Sequence, residues 1–128
     1  MADTLSNIFN IISIARKSGK QTCVVGPVSR FLVRILDIIK SNGYINKYEI
    51  ISDSRGGFIK LELSENLNQC KAIRPRLPIK AEDVTKYEKR FLPSLGFGII
   101  ILSTSKGLMT NNEAKNAKIG GSLIAYVY

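Results

Sequence analysis

Residues Gly98 to Ser103 read Gly-Ile-Ile-Ile-Leu-Ser, and the second half of the chain has to be built around them. A run this apolar and this rich in β-branched side chains reads as a buried strand, with no face left for solvent. The wider apolar stretch, Gly96 to Leu102, falls far short of the roughly 18 residues that a membrane span requires. No membrane partner is expected. The run ends abruptly on Ser103-Thr104-Ser105-Lys106-Gly107, which reads as a loop. Three hydroxyls, a cation and a glycine therefore sit at the mouth of the most buried segment of the chain.

The surrounding patterns supply the cover such a strand needs. Residues 4–18 place Leu5, Ile8, Phe9, Ile12 and Ala15 at helical spacing, with Asp3 or Thr4 able to cap the start and Gly19 to end the helix. Thr22 to Val25 reads as a short strand. Gly26 and Pro27 turn the chain, and Ser29 can cap a second helix running to about Ser41, with Leu32, Ile35, Leu36 and Ile39 as its apolar stripe and Gly43 at its C-cap. Ile45 to Ile51 and Phe58 to Leu63 read as strands of a hairpin joined through Ser52 to Gly57. After the polar stretch Ser64 to Gln69 come an extended basic segment (Lys71 to Lys80), a short helix around Glu82 to Arg90, and the buried strand. Thr110-Asn111-Asn112-Glu113 is a capping box that opens another short helix, ended by Gly120 and Gly121, and Ser122 to Tyr128 reads as a closing strand. The expected fold is α+β in two small lobes. Residues 1–64 form an N-terminal α-β-α-β-β lobe with two helices on one face of its sheet, and residues 65–128 a C-terminal lobe that is mostly β with short helices.

Charge narrows the partners. Nineteen Lys and Arg stand against ten Asp and Glu, giving +9 in 128 residues. Nine cations face five anions in residues 1–64, and ten face five in 65–128, so the excess is not a basic tail. A compact domain with distributed positive charge suits a polyanion, because each phosphate it neutralises releases a counterion. Cys23 and Cys70 are the only cysteines, and there is no His. A zinc site needs about four such ligands, so neither a metal nor a cofactor is expected, and both cysteines are read as reduced, buried thiols. Without His the chain also lacks the commonest general base. No secretory signal is read at the N-terminus, and a cytoplasmic location follows from that reading.

The Ser103-Thr104-Ser105-Lys106-Gly107 loop has two chemical readings. Hydroxyls donate and accept, so they suit base edges, ribose 2′-hydroxyls and phosphates in the shallow minor groove of RNA, while Gly107 permits a positive φ and close approach of the backbone. The same residues spell Ser-x-x-Lys, the nucleophile motif of serine acyl enzymes. The accompanying Lys-Thr-Gly and Ser-Asp-Asn elements are missing, and a strand-loop position is wrong for a motif that opens a helix. We therefore expect no catalysis and no small-molecule substrate. Arg74, Arg76 and Lys80 point the same way if Lys71 to Lys80 is extended, which makes a phosphate track. Arg16 and Lys17 serve either the dipole of the first helix or a phosphate. Tyr44, Tyr48 and Tyr87 are large enough to stack on bases, though packing at the rim of a core explains each as well.

Read together, these segments resemble a family. Phe97 to Thr110, then Glu113-Ala114 and Gly120-Gly121, closely resemble the signature of small-subunit ribosomal protein eight. Asp3 to Gly19 resembles the family's opening helix, Pro27-x-Ser29-Arg30 its second-helix start, and Gly43-Tyr44-Ile45 with Tyr48 to Ile51 the strand that follows. Leu67 to Cys70 and Leu92-Pro93-Ser94 are more similar to the eukaryotic branch, called fifteen-A in animals, than to the bacterial one. The resemblance covers essentially the whole chain. It implies a two-lobed protein of the small ribosomal subunit that binds the central domain of its ribosomal RNA, lies beside neighbouring small-subunit ribosomal proteins and aids assembly, beginning in the nucleolus in a eukaryotic cell. It also implies that Ser103, Thr104, Ser105 and Gly107 read the RNA and that Ser29 and Arg30 contact phosphate. Independently of the resemblance, the residues themselves offer Lys106, Arg74, Arg76 and Lys17 as further RNA-binding cations. An RNA-binding regulator outside the ribosome is the remaining alternative.

Distributed charge predicts a salt response. With roughly six phosphates neutralised, log affinity for the RNA should fall against log salt with a slope of about −4 to −5. Binding isotherms at several salt concentrations measure it, and a slope near zero would remove the basic residues from the interface.

Overall fold

The computed structural model describes residues 4–52, 56–94 and 97–128, with the side chains of residues 4, 74 and 75 outside that description. The chain divides into two compact units, Met1–Lys71 and Ala72–Tyr128. Both are α+β with antiparallel sheets.

In the first unit α1 (Thr4–Lys17), β1 (Thr22–Val25), α2 (Arg30–Ser41), β2 (Ile45–Ile51) and β3 (Phe58–Leu63) follow the order read from the sequence. The sheet runs β1-β3-β2, with β3 antiparallel to both neighbours. Alternation along β3 buries Ile59, Leu61 and Leu63 and turns Phe58 and Lys60 outward. The inner face meets the apolar stripes of the helices, Leu5, Ile8, Phe9, Ile12 and Ala15 from α1 and Leu32, Ile35, Leu36 and Ile39 from α2. Ser29 caps α2 as its sequence position implies, its side chain accepting from Leu32 N–H at 3.1 Å. The peptide bond before it, Gly26-Pro27, is cis. Asp3, one of the two candidate caps of α1, and part of the β2–β3 connection lie outside the described residues.

The polar stretch after β3 belongs to the first unit. Leu67 is buried there, and Arg16 holds the segment from α1, its Nε donating to the Leu67 carbonyl at 2.8 Å and its second guanidinium nitrogen to Glu65 O at 3.2 Å. Arg16 is thus a brace between helix and loop. Cys70 is buried beside it, its Sγ 3.6 Å from both the Phe9 carbonyl and Ser13 Oγ. Cys23 departs from expectation. It is only half-buried, because β1 lies at the edge of its sheet.

β4 (Cys70–Ile79) starts on the last two residues of the first unit, and in the second it leads through one 3-10 turn (Ala81–Asp83) into α3 (Val84–Phe91), then β5 (Ile99–Thr104), β6 (Gly107–Thr110), α4 (Asn111–Ala117) and β7 (Gly121–Val127). The sheet order is β4-β7-β5-β6. As expected, Ile99, Ile100, Ile101 and Leu102 are all buried. The basic segment is not an interrupted loop but the edge strand β4, and an edge is where a sheet admits prolines such as Pro75 and Pro78. β6 was not anticipated. Four residues between a glycine and a helix cap carry too little pattern to announce a strand. The Thr110 capping box is present, with the Thr110 side chain accepting from Glu113 N–H and Glu113 accepting from Thr110 N–H. α4 ends where the sequence places it, at about Lys118, which is the C-cap and is left-handed at φ 56.

The thiols give a pH prediction. Burial pushes the Cys70 thiol from its ordinary 9.0 up to about 12, partly countered by its hydrogen bond with Ser13, and burial raises Cys23 to about 11. A raised folded-state value means that the folded form keeps its proton after the unfolded chain has lost it. Stability from these groups is complete below pH 9 and is lost as pH rises towards 11 and 12. Cys70→Ser should therefore flatten the fall in unfolding free energy between pH 7 and pH 10 by about 1 kcal/mol, read by denaturant titration. Alkylation of the native protein should reach Cys23 before Cys70, and equal rates would contradict this burial.

Candidate nucleic-acid interface

The hydroxyl segment is the turn of a hairpin and not a strand-to-helix loop. Ser103 and Thr104 complete β5, Gly107 opens β6, and Thr104 pairs with Gly107 across the ladder, leaving Ser105 and Lys106 as the tip. Thr104 shapes that tip. Its Oγ1 donates to the Gly107 carbonyl at 2.8 Å and accepts from Lys106 N–H at 3.1 Å. A side chain that makes both bonds within the turn is committed to fixing its backbone. Ser103, Ser105 and Lys106 are exposed. Gly107 has φ +108, and nothing lies within 4 Å of where its Cβ would be, so this backbone is open to a ligand.

The start of β7 explains how the turn is held. A Cβ on Gly121 would stand 2.4 Å from the Ser103 carbonyl oxygen and 3.0 Å from Thr104 Cγ2. A Cβ on Gly120 would stand 2.4 Å from the Ile79 carbonyl oxygen and 2.9 Å from Lys80 Cα. Backbone packed this closely admits no side chain. The tandem glycines therefore bring the ends of β4 and β5 to one end of the sheet. Ser122 falls directly beside Ser103 in the ladder. Lys80, exposed at the end of β4, joins the hydroxyl turn at this end. Sequence reading gave Gly120 and Gly121 no structural role beyond breaking a helix, placed Lys80 on a phosphate track with Arg74 and Arg76 and not beside the hydroxyl turn, and left Ser122 out of the site. The signal was the glycine pair itself, since two adjacent glycines opening a strand mark close backbone approach.

A buried polar relay fixes β5 from the other side. Asn111 accepts from Ile100 N–H at 3.1 Å through Oδ1 and donates to Glu88 Oε2 at 2.6 Å through Nδ2. Lys115 Nζ reaches Glu88 Oε1 at 2.8 Å. Glu88 is 4% exposed, so the lysine and the amide are what make its burial tolerable. One strand and two helices, β5, α3 and α4, are tied through a single carboxylate.

The other candidates are dispersed. Arg76 is exposed on β4, roughly 13 Å along the strand from Lys80 at about 3.3 Å per residue. The Arg74 side chain lies outside the described residues. Ser29, Arg30 and Lys17 belong to the first unit, Arg30 exposed in the first turn of α2 and Lys17 exposed in the last turn of α1. Ser29 turns its hydroxyl to Leu32 N–H as a cap. In the same unit Tyr48 donates its hydroxyl to Asp37, a bond that raises its ionisation above the usual tyrosine range. Among the described residues no three His, Cys, Asp or Glu side chains gather as metal ligands, and no helix is long and apolar enough to cross a membrane.

Comparison with known proteins now bears on this arrangement. The family model described as Ribosomal protein S8 matches residues 3–128. The chain belongs to the ribosomal protein S8 family. Relatives include the small ribosomal subunit protein uS8 of Nanoarchaeum equitans, 49% identical over 128 residues that cover 100% of this chain and 96% of the relative. The uS8 proteins of Picrophilus torridus and Thermoplasma acidophilum are 44% and 43% identical over 126 residues, 98% of each chain. The S8 match spans both units, so the hydroxyl turn, the glycine pair and the Glu88 relay all fall inside it.

The two kinds of glycine should respond differently to a methyl group. Gly107→Ala meets no atom but must hold a positive φ, a strain of about 1–3 kcal/mol. Gly121→Ala drives Cβ into a backbone carbonyl and should cost about 3 kcal/mol or more. Thermal melts of the two variants decide the matter, and equal stability would contradict the close approach at β7.

Proposed function

We propose that this chain is a non-catalytic structural constituent of the small ribosomal subunit that binds the central domain of the small-subunit ribosomal RNA and aids its assembly. The observation that carries the reading is the braced turn, in which the Thr104 hydroxyl closes the hairpin internally while Ser105, Lys106 and the open side of Gly107 face outward. Such a tip fits the wide, shallow minor groove of folded RNA, where hydroxyls meet 2′-hydroxyls and base edges. Ser103 and Ser122 extend the same polar edge. Arg76, Arg74, Lys80, Lys106, Lys17 and Arg30 supply phosphate contacts, which give affinity but little sequence information. Names borne by the relatives support the setting, since each is called a small ribosomal subunit protein. The partners in this reading are the ribosomal RNA and neighbouring small-subunit proteins. Its place is the subunit in the cytoplasm, with assembly begun in the nucleolus where the cell has one.

Shape reading and charge are separable. Ser105→Ala removes a neutral donor and acceptor, so it should weaken cognate RNA several-fold, about 1 kcal/mol, and leave scrambled RNA and the salt slope unchanged. Arg76→Ala should weaken both RNAs and lower the slope by about one unit. Isotherms for cognate and scrambled RNA at several salt concentrations measure each of these outcomes. Equal weakening of both RNAs by Ser105→Ala would mean that the turn reads no shape.

A further inference from the structure

A row of aromatic rings crosses the second unit, and the hydroxyl turn does not use it. Tyr87 stacks on Phe91 with ring centroids 6.4 Å apart, Phe91 on Tyr126 at 5.4 Å, and Tyr126 on Tyr128 at 6.0 Å with planes only 6° apart. Phe97 continues the row, 6.3 Å from Tyr128. The inner edges of the first four roof the core of Ile73, Leu92, Ile100, Leu102 and Leu123. That explains their presence but not their openness. Each of the four stays partly open to solvent, and Phe97 is 45% exposed.

Cations border this row, while Glu82 and Asp83 lie in the turn before α3. Lys86 Nζ lies 5.7 Å from the Tyr87 ring centre and the Arg90 guanidinium 5.6 Å from that of Phe91. Lys89 adds a third exposed cation on α3. The one carboxylate of that helix, Glu88, is turned inward to Asn111 and Lys115. Half-open aromatic rings with cations over two of them match a ligand that is itself a flat ring carrying an anion every few ångströms. Unpaired nucleotides are that ligand, with bases on the rings and phosphates on Lys86, Lys89 and Arg90. An acidic protein segment would answer the cations but offers no row of planes to the rings.

We infer that the Tyr87–Phe91–Tyr126–Tyr128 row with Lys86 and Arg90 is a second RNA-binding surface, one that takes single-stranded nucleotides by stacking, separate from the hydroxyl turn. This rests on the reading of the chain as an RNA-binding protein. Stacking tolerates any base, so the surface holds an unpaired segment near the folded RNA that the turn reads.

The test uses the full chain and two probes, a ten-nucleotide oligouridylate and a folded central-domain RNA fragment. Tyr87→Ala should weaken oligouridylate about tenfold, within the range alanine substitution gives for a base stacked on an aromatic ring, and Tyr87→Phe should restore it. Arg90→Gln should weaken oligouridylate and reduce its salt slope. Ser105→Ala should leave oligouridylate unchanged. Thermal melts confirm that each variant is folded. If a folded Tyr87→Ala binds oligouridylate like the unaltered chain, or Tyr87→Phe fails to restore binding, the stacking surface is wrong. If the unaltered chain binds the central-domain fragment but not oligouridylate, this inference fails while the turn's role survives. If it binds neither, the RNA reading fails with it. Competition for oligouridylate by a polyglutamate peptide through Tyr87 would also overturn it, assigning the surface to an acidic protein.

Discussion

At the start of β7 three stretches of backbone come closer than any side chain allows. Gly121 lies against the carbonyl of Ser103, and Gly120 against the carbonyl of Ile79 and the Cα of Lys80. The second sheet can have the order β4-β7-β5-β6 with its polar residues collected at one end only because both positions lack a Cβ. A methyl at either site would push β7 from its neighbours. Ser122 would then part from Ser103, and Lys80 from the turn. The site is therefore specified by absence, two missing side chains, as much as by the hydroxyls present.

Two further devices keep that end rigid. Thr104 closes the hairpin from within by donating to Gly107 O and accepting from Lys106 N–H. Asn111 holds Ile100 N–H while Glu88 holds Asn111, so the strand that presents the turn is tied to both helices of its unit. A buried carboxylate is costly unless its partners are all in place, and here the amide and Lys115 provide them. Rigid presentation suits recognition of a folded RNA, because little conformational entropy is left to lose on binding. Basic residues spread over both units need no such precision, since phosphate attraction is long-ranged and tolerant.

Much of this was legible in the residues, for reasons that differ by element. Helical spacing in α1 and α2, the Ser29 and Thr110 caps and the strict alternation of Phe58 to Leu63 are local patterns, and local patterns survive in sequence. So do the run of buried apolar residues and the chemistry of Ser103 to Gly107. Other features depend on partners distant in the chain. β6 is four residues long and becomes a strand only because β5 lies beside it. Pro75 and Pro78 look like interruptions until β4 is seen to be an edge. The bonds that close the turn through the Thr104 hydroxyl, and those that hold Arg16 to the Leu67 and Glu65 carbonyls, likewise leave no mark in the local pattern. Cys23 reads as buried from its strand-forming neighbours, but edge position in the sheet leaves it half open.

The central claim is that the Ser103–Gly107 tip touches the central domain of the ribosomal RNA in the assembled particle. Photochemical protein–RNA cross-linking of purified small subunits, followed by mass spectrometry of the cross-linked peptides, tests it without any mutation. The account predicts peptides containing Ser103 to Gly107 joined to central-domain nucleotides, with the chain present at one copy per particle. Cross-links confined to other peptides, with the turn unmodified in intact subunits, would contradict it.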